Sequence, residues 1–74
     1  MDALAIRQVL RQQPFQPFVL HLADQRAFEV PHPDFISVSQ SGRRVIVEKG
    51  DDSFEIVDVL LISGIEIKPS AQPA

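Results

Sequence analysis

Apolar positions recur at two spacings along this chain, and the change marks where a helix gives way to strands. Between Asp2 and Gln12, Ala3, Ile6, Val9 and Leu10 fall on one helical face, and Arg7, Gln8, Arg11 and Gln12 fall on the other. Asp2 is placed to cap the first turn, because its carboxylate can accept from the free amides there. Pro14 ends the helix, since the residue before a proline is driven out of the right-handed helical region. A helix this short is marginal alone in water, so its apolar face must pack on something. Leu4 projects among the arginines. It reads either as a solitary exposed leucine or as a contact with a second subunit.

After the extended Pro14-Phe15-Gln16-Pro17 connection the spacing becomes two. Phe18, Leu20 and Leu22 share one side of a strand predicted over 18–23, and Val19, His21 and Ala23 share the other. Phe28 and Val30 share a side of the next strand, 27–30. A slip of one residue would turn either strand over, so the loop between them must be odd in length. The three-residue loop Asp24-Gln25-Arg26 satisfies this by pairing Leu22 with Phe28 and Leu20 with Val30. Such loops want one left-handed position, and neither Gln25 nor Arg26 suits it.

Pro31 and Pro33 cannot donate to a central ladder and interrupt the sheet. Three strands are then predicted: 35–39, with Ile36 and Val38 together; 43–49, with Val45 and Val47 together; and 54–59, with Phe54 and Ile56 together. Gln40-Ser41-Gly42 and Gly50-Asp51-Asp52-Ser53 are the turns. Leu60-Leu61 reads as a tight corner before a final strand, 62–67. That strand's nearly continuous apolar run suggests cover on both faces, with Gly64 marking a bend or bulge. The expected core is Ile6, Leu10, Phe18, Leu20, Leu22, Phe28, Val45, Val47, Phe54, Ile56, Ile65 and Ile67.

The fold class that follows is α+β, mainly β. One N-terminal helix packs on a five-stranded, strongly bent antiparallel sheet or small open barrel. Residues 1–68 form a single small domain, and 69–74 read as a flexible C-terminal tail.

Composition narrows the function. A chain of 74 residues has room for one domain and a small core. It has no cysteine, so neither a disulfide nor a thiolate metal site can staple it. Its 45% hydrophobic content is generous for so small a core and points to self-association. The formal net charge is −3, with Glu48, Asp51, Asp52, Glu55 and Asp58 clustered around a single Lys49, so a polyanion is repelled from that surface. No run approaches the length of a membrane span, and Met1-Asp2 does not open a secretory signal. The expected location is the cytoplasm, without membrane partners.

The stretches Leu10-Arg-Gln-Gln-Pro-Phe-Gln-Pro-Phe18, His21-Leu-Ala-Asp24, Val30-Pro-His-Pro-Asp-Phe35 and Asp58-Val-Leu-Leu-Ile62 resemble a family of short bacterial proteins. The resemblance covers nearly the whole chain, and members typically carry Gly where Gln25 stands here. It implies no activity, cofactor or site residue. A second resemblance, at the level of fold, is to the Sm-like (LSm, Hfq) proteins. Leu20 to Phe28 is similar to their first hairpin, Asp34-Phe35 to their Asp-x-Phe region, and Ile62-Ser63 to the start of their last strand. That resemblance implies a small bent barrel, Sm/SH3-like in outline, of a kind that forms rings. The Lys-His pair of Hfq-type proteins would fall near Val59 to Leu61, which are apolar here.

Candidate chemistry is sparse. His32 and Asp34 could orient one another or hold a metal, but two ligands fall short of a site. The bland alternative is a rigid turn in which Asp34 caps backbone amides. The Gly50-Asp51-Asp52-Ser53 stretch lacks the ligand spacing of a calcium loop. There is no nucleophile elbow and no phosphate loop. Arg43 and Arg44, together with Arg26, could form a small anion-binding patch, though no Tyr or Trp is present to stack on bases. The expected function is a non-enzymatic binding or assembly module acting as a homo-oligomer, without cofactors and with a further protein partner possible. An Sm-like RNA-binding protein is the alternative. The candidate contact residues are His32, Asp34, Arg43, Arg44 and Leu4.

Overall fold

The computed structural model describes residues 2–68. The expected tail lies outside the described residues. Helix α1 spans Ala3–Leu10 and is followed by six strands: β1 (Phe18–Leu22), β2 (Ala27–Val30), β3 (Ile36–Val38), β4 (Arg44–Glu48), β5 (Phe54–Asp58) and β6 (Ile62–Ile67). The α+β, mainly β class stands.

The sheet arrangement corrects the expectation. There are two three-stranded antiparallel sheets, ordered β2-β1-β6 and β3-β4-β5, where one five-stranded bent sheet or barrel was expected. The break between β2 and β3 falls at Pro31 and in the 3-10 turn Pro33–Phe35. The break between β5 and β6 falls in a second 3-10 turn, Val59–Leu61, whose first free amide is held by Asp58 Oδ1 accepting from Leu60 N at 2.9 Å. Each turn redirects the backbone before a continuous ladder can form, so the sheets face one another across the core.

Asp2 caps α1 by accepting from Ala5 N at 3.4 Å. Ile6 is fully buried, with Val9 and Leu10 packed against the core. Arg7 was expected on the outer face. Its guanidinium instead donates to the carbonyl of Ser39 at 2.8 Å and ties the helix to the end of β3. Gly42 carries the turn between β3 and β4 at φ +76°, and a Cβ there would stand 3.1 Å from Ala3 Cβ. The turn is therefore pressed against the first turn of the helix.

The loop between β1 and β2 is odd-numbered, as the alternation requires, but shifted. Phe18 lies opposite Val30 and Leu20 opposite Phe28. Leu22 N donates to Arg26 O at 2.9 Å, so the loop is Ala23-Asp24-Gln25. Gln25 takes the left-handed position at φ 79°, the strain anticipated for a chain lacking glycine there.

The last strand resolves its own ambiguity. Ile62 and the pair Ile65/Ile67 differ in parity, which suggested burial on both faces. The ladder with β1 shifts between His21 and Leu22, pairing His21 with Gly64 and Leu22 with Ile62. One extra residue at Ser63 turns the strand over. Ile62, Ile65 and Ile67 consequently all lie beside the inward residues Leu22, Leu20 and Phe18. Ile67, at the strand's end, remains 39% exposed and is not core.

The core joins Phe18, Leu20, Leu22, Val30 and Ile62 of one sheet to Ile36, Val45, Val47 and Val57 of the other, with Ile6 from the helix. Phe28, Leu10 and Ile65 are only partly buried. The largest correction is β5. Val57 is 2% exposed, while Phe54 and Ile56 are 60% and 61% exposed, so the expected inward face points outward. The register with β4 decides this. Val57 lies opposite buried Val45, and Ile56 lies opposite outward-facing Ile46.

Candidate functional site

Three places could carry function: the turn between the sheets, the cleft beside it, and the outer face of the β3-β4-β5 sheet. The turn holds His32 and Asp34, both exposed. It closes through Phe35 N donating to His32 O at 3.0 Å, with the two rings 6.1 Å apart. Neither the Asp34 carboxylate nor the His32 ring makes a cap bond there, which corrects the reading of Asp34 as the cap. His21 is on β1, with Nε2 2.9 Å from Glu66 Oε1, and does not join them. Among the described residues no three His, Cys, Asp or Glu side chains converge as metal ligands. The pair is a surface turn.

The cleft, about 560 Å³, opens between β2 and the end of β4 and is lined by Phe28, Pro31, Phe35 and Val47, with Glu29 and Lys49 at its rim. Sequence periodicity gave no sign of it, because it exists only where two sheets fail to join. Its cations are already committed. Glu55 accepts from Lys49 Nζ at 3.0 Å and from Arg26 Nη1 at 3.1 Å, and both cations lie 5.7 Å from the Phe28 ring. The hydrogen bond from Lys49, then its charge, holds the Glu55 carboxyl below its ordinary range, with Arg26 adding to it. Arg26 also bonds Asp24, whose pKa is lowered first by the Arg26 backbone amide and then by its side chain. Arg26 therefore does not join Arg43 and Arg44 in a basic patch.

Arg43 and Arg44 are exposed at the opposite end of the sheet, lining a shallow hollow of about 380 Å³ with Ile56 and Asp58. Arg44 sits opposite Asp58 across the ladder, which sets a carboxylate beside any anion held there. The ion pairs among the described residues involve His21, Arg26, Lys49 and Lys68 and leave both arginines out. Leu4 is 62% exposed on α1.

The outer face of β3-β4-β5 is the feature the sequence reading missed. Ser37, Ile46 and Ile56 form one cross-strand row, with Phe54 beside Glu48 in the next. Apolar exposure grows toward the edge: Ser37 on β3, Ile46 at 38% on β4, then Phe54 and Ile56 on β5. The two residues assigned to the core are thus the most exposed large apolar residues of any described strand. The signal that could have found this is Val57 and Val59, which mark the other parity of the same strand. Comparison with protein-family models, with curated proteins and with solved structures finds no match.

Proposed function

We propose that this chain is a small, non-enzymatic binding or assembly module that acts as a homo-oligomer. The observation that carries the reading is the apolar outer face of β5, where Phe54 and Ile56 stand in water at the rim of a sheet. A small domain gains from covering such residues, and an open apolar strand edge that stays uncovered is an aggregation hazard.

The test is the mass in solution. Sedimentation equilibrium at micromolar to millimolar concentration is expected to give a multiple of 8.3 kDa. A stable monomer throughout would overturn the reading. The alternative, an Sm-like RNA-binding protein, draws on Arg43 and Arg44, two adjacent exposed guanidiniums that, like Arg11, take no part in the ion pairs among the described residues. Repeated around an assembly they would form a belt. Submicromolar binding of single-stranded RNA at about 50 mM salt, lost when both become Ala, would favour it.

A further inference from the structure

We propose that the free edge of β5 is a self-association site, where a second copy adds its own β5 antiparallel about a two-fold axis through Ile56. This deepens the assembly reading and rests on it. Four strands end a sheet: β2, β6, β3 and β5. Three of them are blunted. β2 runs into Pro31, β3 is three residues long, and β6 carries a bulge and Glu66. Proline, short length, bulges and charge are the devices that protect edges from pairing. β5 has five residues, no proline and no bulge; of its two carboxylates Glu55 is paired with Arg26 and Lys49 and Asp58 lies opposite Arg44, and its other outward side chains are Phe54 and Ile56.

The backbone is oriented for pairing. Lys49 N donates to Ser53 O at 2.8 Å and Val59 N to Arg43 O at 2.9 Å, so Ser53 and Val59 turn their polar groups toward β4. Antiparallel ladders alternate, so Phe54, Ile56 and Asp58 turn theirs toward the open edge. Two such edges centred on Ile56 can exchange about six hydrogen bonds.

Charge selects the centre. Centring on Glu55 would set two carboxylates opposite one another, which is unfavourable. Centring on Val57 would run the strand into the Val59–Leu61 turn. Centring on Ile56 overlaps the whole of β5, sets Glu55 against Val57 of the second copy, and leaves each Asp58 beside its own Arg44. The apolar row then continues across the axis as Ile46, Ile56 and their two counterparts.

The chain has no cysteine, so a single introduced thiol reports the register. Residues facing one another across the axis have Cα atoms about 5.5 Å apart, within disulfide reach, whereas a residue two positions away does not meet its own copy. Oxidised with diamide at about 100 μM, Ile56→Cys is expected to form a covalent dimer at least about tenfold faster than Phe54→Cys. In sedimentation, Ile56→Lys is expected to weaken self-association at least about tenfold while its circular-dichroism melt stays that of a folded protein. Two results overturn the β5 site but leave the assembly reading intact: an oligomer in which Ile56→Cys cross-links no faster than Phe54→Cys, or one whose mass Ile56→Lys does not change. A wild-type monomer at about 1 mM overturns both.

Discussion

Replacing each of two neighbours on β5 with threonine tests the inverted face directly. Val57→Thr keeps the volume and the β-branch, so strand preference changes little, and it places a hydroxyl inside the core opposite Val45. With Val57 2% exposed, that hydroxyl is cut off from water, and an unpaired buried hydroxyl costs about 1–3 kcal/mol. Ile56→Thr also keeps the β-branch, but Ile56 is 61% exposed. It removes two carbons, worth about 1.6 kcal/mol if fully buried and less than half of that here, so the cost is about 0.6 kcal/mol or less. A domain of this length has roughly 4–11 kcal/mol in total at about 0.05–0.15 per residue. Each kcal/mol moves its melting temperature by about 4–8 °C, so Val57→Thr is expected to lose about 4–24 °C and Ile56→Thr only a few degrees. Urea titrations followed by far-ultraviolet circular dichroism provide the free energies, compared only if the slopes agree. They belong at a few micromolar with a tenfold dilution control, because self-association through Ile56 would otherwise add to wild-type stability. Ile56→Thr costing as much as Val57→Thr would refute the face assignment, since simple alternation from Phe54 expects that order.

Three further outcomes are open to measurement. Gln25→Gly is expected to stabilise by about 0.5–1 kcal/mol, because φ 79° strains a side chain and not glycine; a thermal melt no higher than wild type would count against that account. Gly42→Ala should cost about 1–2 kcal/mol, since it adds a left-handed penalty and a Cβ 3.1 Å from Ala3, and an unchanged melt would mean the turn relaxes away from the helix. Asp24, Asp51 and Glu55 have lowered folded-state pKa values, so in the unfolded chain they bind protons first; the stability they contribute is present above the ordinary carboxylate values and lost as pH falls through the folded ones. The melting temperature should therefore drop below about pH 4, less steeply in Glu55→Gln, and a rise on acidification contradicts the sign.

Local chemistry was legible in the sequence wherever one residue type has few options. Asp2 had to cap, the prolines had to interrupt, the first hairpin had to have an odd loop, and some residue near Gln25 had to take a left-handed turn. Phe18, Leu20 and Leu22 were assigned correctly because they alternate with nothing apolar enough to compete except Val19. Alternation fails when a strand is apolar on both parities. In Phe54-Glu55-Ile56-Val57-Asp58-Val59 the pattern permits either face, and only pairing of Val57 with Val45 in the folded ladder selects one. Ile62 and Ile65 posed the same problem in the last strand, and the bulge at Ser63, a property of the pairing with β1, removed it. Whether the strands join into one sheet or two was likewise beyond the sequence. That depends on how far two 3-10 turns rotate the chain, which no single residue states. The cleft and the exposed face of β5 follow from that rotation and register, so only the tertiary structure could place them.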